Sequence, residues 1–166
     1  MTTVRMFVQY AVQNDMMIHQ LDVKTAYLNT PIDCDVYISQ PDGFKISHED
    51  KNIVWKLKKS LYGLKQSGRN WNIVLNNFFK SKGLEQSEVD PCLFTLNQNT
   101  YVVVWVDDII IACNTMELMD KLKNELKTTF KMKDLGPISY FLGLQFEQNN
   151  EGILMNQTHY LQKLFE

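Results

Sequence analysis

Two adjacent aspartates, Asp107 and Asp108, interrupt the apolar stretch VWVDDIIIA at residues 104–112. At ~4 Å and an effective dielectric near 20, two such carboxylates repel by about 4 kcal/mol. Water around an Asp-rich turn offsets that repulsion, and so does a divalent cation. Hard ions such as Mg²⁺ take oxygen ligands, commonly one or two carboxylates together with substrate phosphates. A cation site needs at least one more acid, and HQLDVKTAYLN at residues 19–29 offers Asp22. Asp22 closes the apolar residues 18–21 much as Asp107 closes residues 101–106. If these segments are neighbouring strands, Asp22 and Asp107 leave the sheet at the same edge. Three carboxylates can then hold two cations ~3.5–4 Å apart, the spacing used for in-line phosphoryl displacement. An aspartate at a strand end also serves as a cap or turn residue, so spacing alone leaves both readings open.

Hydrophobic periodicity supplies the elements that must position these acids. Residues 2–14 carry Val4, Phe7, Val8, Ala11 and Val12 on one helical stripe. Residues 18–23 read as a strand, and AYLNTPIDCD leaves it as a loop. Short strands are expected at 36–38 and 53–57, around SQPDGF. A helix over 67–82 has the stripe Trp71, Val74, Leu75, Phe78 and Phe79 and is stopped by Gly83. Residues 92–96 and 101–106 read as strands joined by NQNT, and 109–113 as the next strand. That pattern places Asp107 and Asp108 at the tip of a tight hairpin. A helix over 116–130 is capped by Asn114 with Glu117 as capping-box partner, and buries Leu118, Leu122, Leu126 and Phe130. DLGP breaks the chain. Residues 139–146 and 153–155 then form a second hairpin across EQNNEG, before a short closing helix. The order predicts an α+β plan, an antiparallel sheet with helices packed on one face. No repeat or linker divides the chain, so one domain is expected.

The 166 residues suffice for one domain with a core. With 45% hydrophobic and 22% charged residues, the composition is that of an ordinary soluble protein. No apolar run approaches the ~18 residues of a membrane span. The N-terminal MTTVRMFVQYAVQNDMM has the single basic residue Arg5 and no small-residue cleavage site, which argues against a secretory signal. Cys34, Cys92 and Cys113 form no CxxC pair, so neither zinc nor a disulfide framework is implied and a reduced setting is expected. His19, His48 and His159 are scattered and read as surface or half-buried residues. The net charge of −2 does not mark a nucleic-acid binder. Yet Lys51, Lys56, Lys58, Lys59, Lys65 and Arg69 run without an acid among them. That run is either a solvated basic face or a phosphate-tracking surface.

Several blocks together resemble one family. QLDVKTAYLN resembles the first catalytic motif of the reverse transcriptase in copia-type LTR retrotransposon Pol polyproteins. VWKLKKSLYGLKQSGRNW resembles that family's LYGLKQ…RxW block. DPCLF followed by VVVWVDDIIIA is similar to its xxDD motif, FKMKDLGPISYFLGLQF to its next block and ILMNQTHYLQKLF to the one after, all in family order.

The resemblance implies a right-hand polymerase palm and an RNA-directed DNA polymerase that adds dNTPs to a primer by two-metal nucleotidyl transfer. It gives Asp22, Asp107 and Asp108 the catalytic, metal-binding roles, with two Mg²⁺ (or Mn²⁺) as cofactors and the Val23 carbonyl as a further metal contact. One ion would activate the primer 3′-hydroxyl, and the other would neutralise the triphosphate and leaving pyrophosphate. Val23, Lys24, Thr25, Ala26 and Tyr27 are implied to meet the incoming dNTP, with Tyr27 as a steric gate that excludes a 2′-hydroxyl. Tyr62, Gly63, Lys65 and Gln66 are implied contacts to nucleotide or template, Gly63 by allowing close backbone approach. Lys56, Lys58, Lys59 and Arg69 would hold nucleic-acid backbone, setting position rather than reading sequence. Lys133 is a candidate general acid for pyrophosphate, a solvated lysine being the other reading. Phe141, Leu142 and Gly143 match the primer grip. The implied partners are an RNA or DNA template with annealed primer, dNTPs and the rest of the Pol polyprotein, with no membrane. The implied location is intracellular and cytoplasmic, including virus-like particles.

Gly68 departs from the family's usual proline and loosens the start of its helix by well under ~1–2 kcal/mol. Family strands of the fingers do not precede the first motif, and the thumb is only begun, so the chain reads as a palm-centred piece of a polyprotein. Three functions therefore compete. One is an active polymerase domain. Another is a truncated, inactive remnant or domesticated fragment that keeps the palm and weak nucleic-acid binding. The third is another two-metal palm, such as a nucleotide cyclase, against which LYGLKQ and FLGLQF weigh.

Overall fold

The computed structural model describes residues 2–44, 53–149 and 152–165; His48 and Lys51 lie outside the described residues. The chain begins with α1 (Thr2–Gln13), β1 (Met17–Val23), a 3-10 turn (Ala26–Asn29), β2 (Tyr37–Ser39) and β3 (Val54–Lys56). It continues through α2 (Ser67–Ser81), β4 (Glu85–Gln86), β5 (Leu93–Leu96), β6 (Thr100–Trp105), β7 (Asp108–Cys113) and α3 (Met116–Thr129). It ends with β8 (Met132–Pro137), β9 (Tyr140–Phe141), β10 (Leu144–Asn149), β11 (Gly152–Asn156) and α4 (Thr158–Phe165). Two compact units result, residues 1–24 with 76–166, and residues 25–75.

The first unit is built on a six-stranded sheet of order β4-β5-β6-β7-β1-β8. Its named pairs are antiparallel. β7, α3 and β8 form a split β-α-β unit, and β1 fills the slot between the two strands. The register sorts side chains by face. Ile18↔Ala112, Gln20↔Ile110 and Asp22↔Asp108 share one face, while His19↔Ile111 and Leu21↔Ile109 share the other.

Both faces are covered. On the first, Val4, Phe7, Val8 and Ala11 of α1 pack with Ile18, Val103, Ile110 and Ala112. Phe141, Leu144 and Phe146, from a separate three-stranded sheet of order β11-β10-β9, complete that cluster. On the second face, Phe79 of α2 stacks 4.7 Å from Phe94 of β5, and Phe78 lies 5.3 Å from Phe130 just past α3. The antiparallel α+β plan stands, but the helices are not confined to one face. The reason lies in β7: residues 109–113 are all buried, so the strand has no solvent side. Each of the fully buried isoleucines there contributes about 1.5–3 kcal/mol.

Four local expectations give way. DLGP does not break the sheet: Met132–Pro137 pairs with β1 as an edge strand, bulged between Gln20 and Leu21, with Gly136 at φ +74°. Its Pro137 stands at the strand end, where a missing N–H is tolerated. The α3 N-cap is Thr115, which accepts from the Leu118 N–H, and not Asn114. The helix starts at Met116, so Glu117 falls one residue short of the capping-box position. The buried line of α3 is Met119, Leu122, Lys123 and Leu126, with Leu118 only half-buried. Finally, residues 139–146 are not one strand. Leu142 (φ +50°) and Gly143 (φ +80°) turn the chain between β9 and β10.

The second unit pairs β2 with β3 (Ile38↔Trp55) and adds a bridge from Pro31 to Lys59. At the start of α2, the Ser67 hydroxyl donates to the Leu61 carbonyl at 2.6 Å.

Candidate active site

β6 and β7 pair as far as Trp105↔Asp108, so the hairpin tip is Val106–Asp107 and Asp108 opens β7. The sequence pattern puts both aspartates at the tip. The shift by one residue rests on Val106, which takes φ +54°, an uncommon conformation for a β-branched residue. β1 lies beside β7 as the acid-site reading requires, and Asp22 stands directly opposite Asp108 rather than Asp107. Such opposed side chains share a face with Cβ atoms ~4.5–5.5 Å apart. Asp107 is tied in through its backbone: its carbonyl accepts from the Val23 N–H at 2.7 Å. The Asp107 Oδ1 atom is buried.

The acidic pair belongs to a row that crosses four strands. Trp105 faces Asp108, Asp108 faces Asp22, and Asp22 faces Lys133 on β8. Trp105 is 53% exposed, an indole surface of the kind on which a base can stack. Burial pushes the Asp108 carboxyl up, the charges of Asp22 and Asp107 push it further, and a hydrogen bond from Gln20 opposes them. Like charges gathered on a partly buried face are a setting that a cation relieves.

The donors Asp22, Asp107, Asp108 and the Val23 carbonyl offer only oxygen, which suits Mg²⁺ or Mn²⁺. Asp22 and Asp108, opposite one another on β1 and β7, would each offer a carboxylate to such an ion. Among the described residues, however, no three His, Cys, Asp or Glu side chains converge into a ready-made metal cluster.

On the reverse face of the sheet a second polar group ties α3 to the strands. Lys123, 4% exposed, donates to His19 Nδ1 at 2.5 Å and to Asp134 at 2.9 Å, and Lys127 reaches Asp134 at 2.8 Å. Burial and the Lys123 charge lower the His19 pKa, against the charges of Asp134 and Asp120. That favours the neutral imidazole, whose Nδ1 can accept. Burial alone would raise the Asp134 carboxyl. Hydrogen bonds from Lys127, Lys123 and the Gly136 N–H, with the Lys123 charge, hold it well below the usual carboxylate range.

The remaining candidates divide between the units. In the first, Lys24 donates its N–H to the Lys131 carbonyl at 2.8 Å. Phe141 is buried in the core with α1, so only Leu142 and Gly143 of the grip candidates lie at a turn. In the second unit, Thr25 takes φ +54° and Ala26 is buried. The rings of Tyr27 and Tyr62 lie 4.5 Å apart at 43°, Gly63 takes φ +93°, and the Gln66 amide reaches Cys34 Sγ at 3.3 Å. Lys58, Lys59, Lys65 and Arg69 are exposed. Lys56 pairs with Asp35 at 2.6 Å. Asp33 accepts from Asn70 at 3.2 Å and feels the charge of Arg69. The basic run without acids is thus a property of the sequence. In space, residues 33–35 bring two carboxylates to it.

The family description reverse transcriptase (RNA-dependent DNA polymerase) matches residues 1–166. The chain belongs to the reverse transcriptase family. It is 36% identical over 172 residues to the Pol polyprotein of transposon TNT 1-94 from Nicotiana tabacum, covering 100% of this chain and 13% of the relative. It is 37% identical over 163 residues to that of transposon RE1 from Arabidopsis thaliana, covering 96% and 11%. The putative transposon Ty5-1 protein of Saccharomyces cerevisiae is 36% identical over 147 residues, covering 86% and 47%. The chain therefore spans about an eighth of the first of these polyproteins, the copia-type relatives that the motifs pointed to. An apo telomerase from Candida tropicalis shares the fold at TM-score 0.52 and 12% identity, over 93% of this chain and 39% of that one.

Two residues beside the candidate site of this reverse transcriptase family member escape a reading by motif. Trp105 looks like one more apolar strand residue, and only the register sets it beside Asp108. Gln20 reads as a solvent-side residue of an alternating strand, yet it is 5% exposed. Its place before the first acid, two residues from Asp22, is the only signal the sequence holds.

Proposed function

We propose that this reverse transcriptase chain carries RNA-directed DNA polymerase chemistry, adding dNTPs to the 3′-hydroxyl of a primer annealed to an RNA or DNA template. The observation that supports this most is the facing pair Asp22–Asp108, flanked by Asp107 at the hairpin tip. Asp22, Asp107, Asp108 and the Val23 carbonyl would hold Mg²⁺, which when bound supplies the Lewis acid that activates the hydroxyl and neutralises the triphosphate. Lys133 stands next to Asp22 in the same row, in keeping with a proton donor to pyrophosphate. Tyr27, whose ring lies against that of Tyr62, would serve as the sugar gate. Lys58, Lys59, Lys65 and Arg69 offer exposed charges to phosphates. Leu142 and Gly143 present a turn to the primer. The rest of a Pol polyprotein completes the enzyme, in the cytoplasm or a virus-like particle. No helix among the described residues is long and apolar enough to cross a membrane.

A second reading is a palm fold that binds nucleic acid without catalysis. Primer extension on an RNA template decides between them, run with Mg²⁺ or Mn²⁺ at low salt to strengthen phosphate binding. Extension abolished by both Asp107→Asn and Asp108→Asn is expected, with both variants folded. Asp108→Asn should also melt no lower than the parent, because a partly buried like-charge repulsion is relieved. Duplex binding without extension would leave the second reading standing.

A further inference from the structure

Gln20 lies in the middle of β1, in an apolar layer. It is opposite Ile110 on β7 and Gly136 on β8, and Val103 lies beyond Ile110 on β6. The same face runs on into Ile18 and Ala112 beneath α1. A primary amide in such a layer costs ~1–3 kcal/mol in lost hydration unless it is hydrogen-bonded. A methionine would fill the same space without that cost.

Along β7, the polar side chain that the register sets nearest to this amide is Asp108, whose carboxyl pKa a hydrogen bond from Gln20 acts to lower. Register explains the reach: Asp108 is the diagonal neighbour, two residues from Ile110 along β7. Diagonal positions lie ~7–8 Å apart, a distance that suits a long side chain. Gly136 on the other side presents no side chain to compete, and a Cβ there would meet nothing within 4 Å. Asp108 opens β7 beside the tip and faces a second carboxylate. Left alone, its side chain would turn from Asp22 toward water. A neutral donor from the core side opposes that rotation without cancelling the charge.

We propose that Gln20 is a positioning residue for the acidic pair: its amide holds the Asp108 carboxylate on the face it shares with Asp22, the orientation in which the two grip one divalent cation. The inference rests on the cation-binding reading of Asp22 and Asp108. An outer hydrogen bond of this kind typically governs 10–100-fold in metal affinity. It also preserves a geometry that a short, half-exposed carboxylate cannot keep by itself.

The test is Mn²⁺ titration of the full chain by calorimetry, beside thermal melting, for the parent, Gln20→Met, Asp108→Asn and the double variant. Gln20→Met should weaken Mn²⁺ about 10–100-fold while melting at or above the parent temperature. It should add nothing in the Asp108→Asn background. Gln20→Met within twofold of the parent, while Asp108→Asn loses the ion, would overturn the positioning role and leave the active-site reading intact. Unchanged Mn²⁺ binding in Asp108→Asn would overturn both. A measurement that does not depend on how Gln20→Met folds is the side-chain amide signal of Gln20 in ¹⁵N NMR. It should move on Mg²⁺ addition and in Asp108→Asn, and a signal indifferent to both would refute the contact.

Discussion

Replacing Asp134 by alanine strands a buried charge. In the parent, Lys123 and Lys127 converge on the two oxygens of Asp134, at 2.9 and 2.8 Å. Lys127 is 39% exposed and can swing into water, but the Lys123 side chain is 5% exposed and is packed between α3 and the sheet. Without its carboxylate, Lys123 is left charged beside His19 with its main partner gone. Removing one partner of a buried pair in this way costs about 3–5 kcal/mol, so Asp134→Ala should lose ~3–5 kcal/mol. Urea unfolding followed by tryptophan fluorescence measures it. Lys123→Met in the same chain should recover most of the loss, since a well-packed apolar replacement for a buried pair is often neutral or stabilising. A loss below ~1 kcal/mol, or a double variant no more stable than Asp134→Ala, would refute the stranded-charge argument.

The same network predicts acid sensitivity. The His19 pKa is lowered from 6.5 by burial first and by Lys123 second. The unfolded chain therefore takes the proton first. Stability from this group is full above 6.5 and is lost as pH falls toward the folded value. Asp134, depressed below 3.8, adds a second loss as pH falls below that value. Urea midpoints should begin to drop below about pH 6.5 and drop less in Lys123→Met; midpoints flat to about pH 5 would contradict the first stage. Gly68→Ala should stabilise by about 0.5 kcal/mol in the same assay, because alanine is the better helix former. The added Cβ would meet only the Tyr27 hydroxyl, at 3.7 Å. A loss of stability instead would show that Gly68 serves a close approach to Tyr27.

What periodicity can express, the sequence expressed. The stripes of α1 and α2 emerge as Val4, Phe7, Val8 and Ala11, and as Trp71, Leu75, Phe78 and Phe79, all buried. The strands that end at or beside Asp22 and Asp108 are legible in the sequence; their adjacency enters there only as a condition of the cation reading, and the register meets it. The departures share a cause: tertiary contacts set conformations that local preference disfavours. Val106 and Leu142 adopt positive φ where turn chemistry would ask for Gly or Asn, so the hairpin tip shifts and a strand splits. MKDLGP lacks alternation and ends in Gly-Pro, yet the slot beside β1 draws it into the sheet. Lys123 and Gln20 are polar residues at core positions, which a binary pattern assigns to solvent. Their partners, His19 and Asp134 in one case and Asp108 in the other, are distant in sequence.

The slot that β1 fills has a consequence for the order of folding. The β6–β7 hairpin and the crossover through α3 are local and can form early. The pairing of Asp22 with Asp108 joins positions about half the chain apart, a costlier closure than either local piece. Until β1 arrives, β7 and β8 each present an open edge to any strand nearby, including one from another nascent chain. The acidic pair is thus complete only when β1 lies between β7 and β8. A cation that binds there would act as a ratchet on that closure, drawing folding forward by mass action.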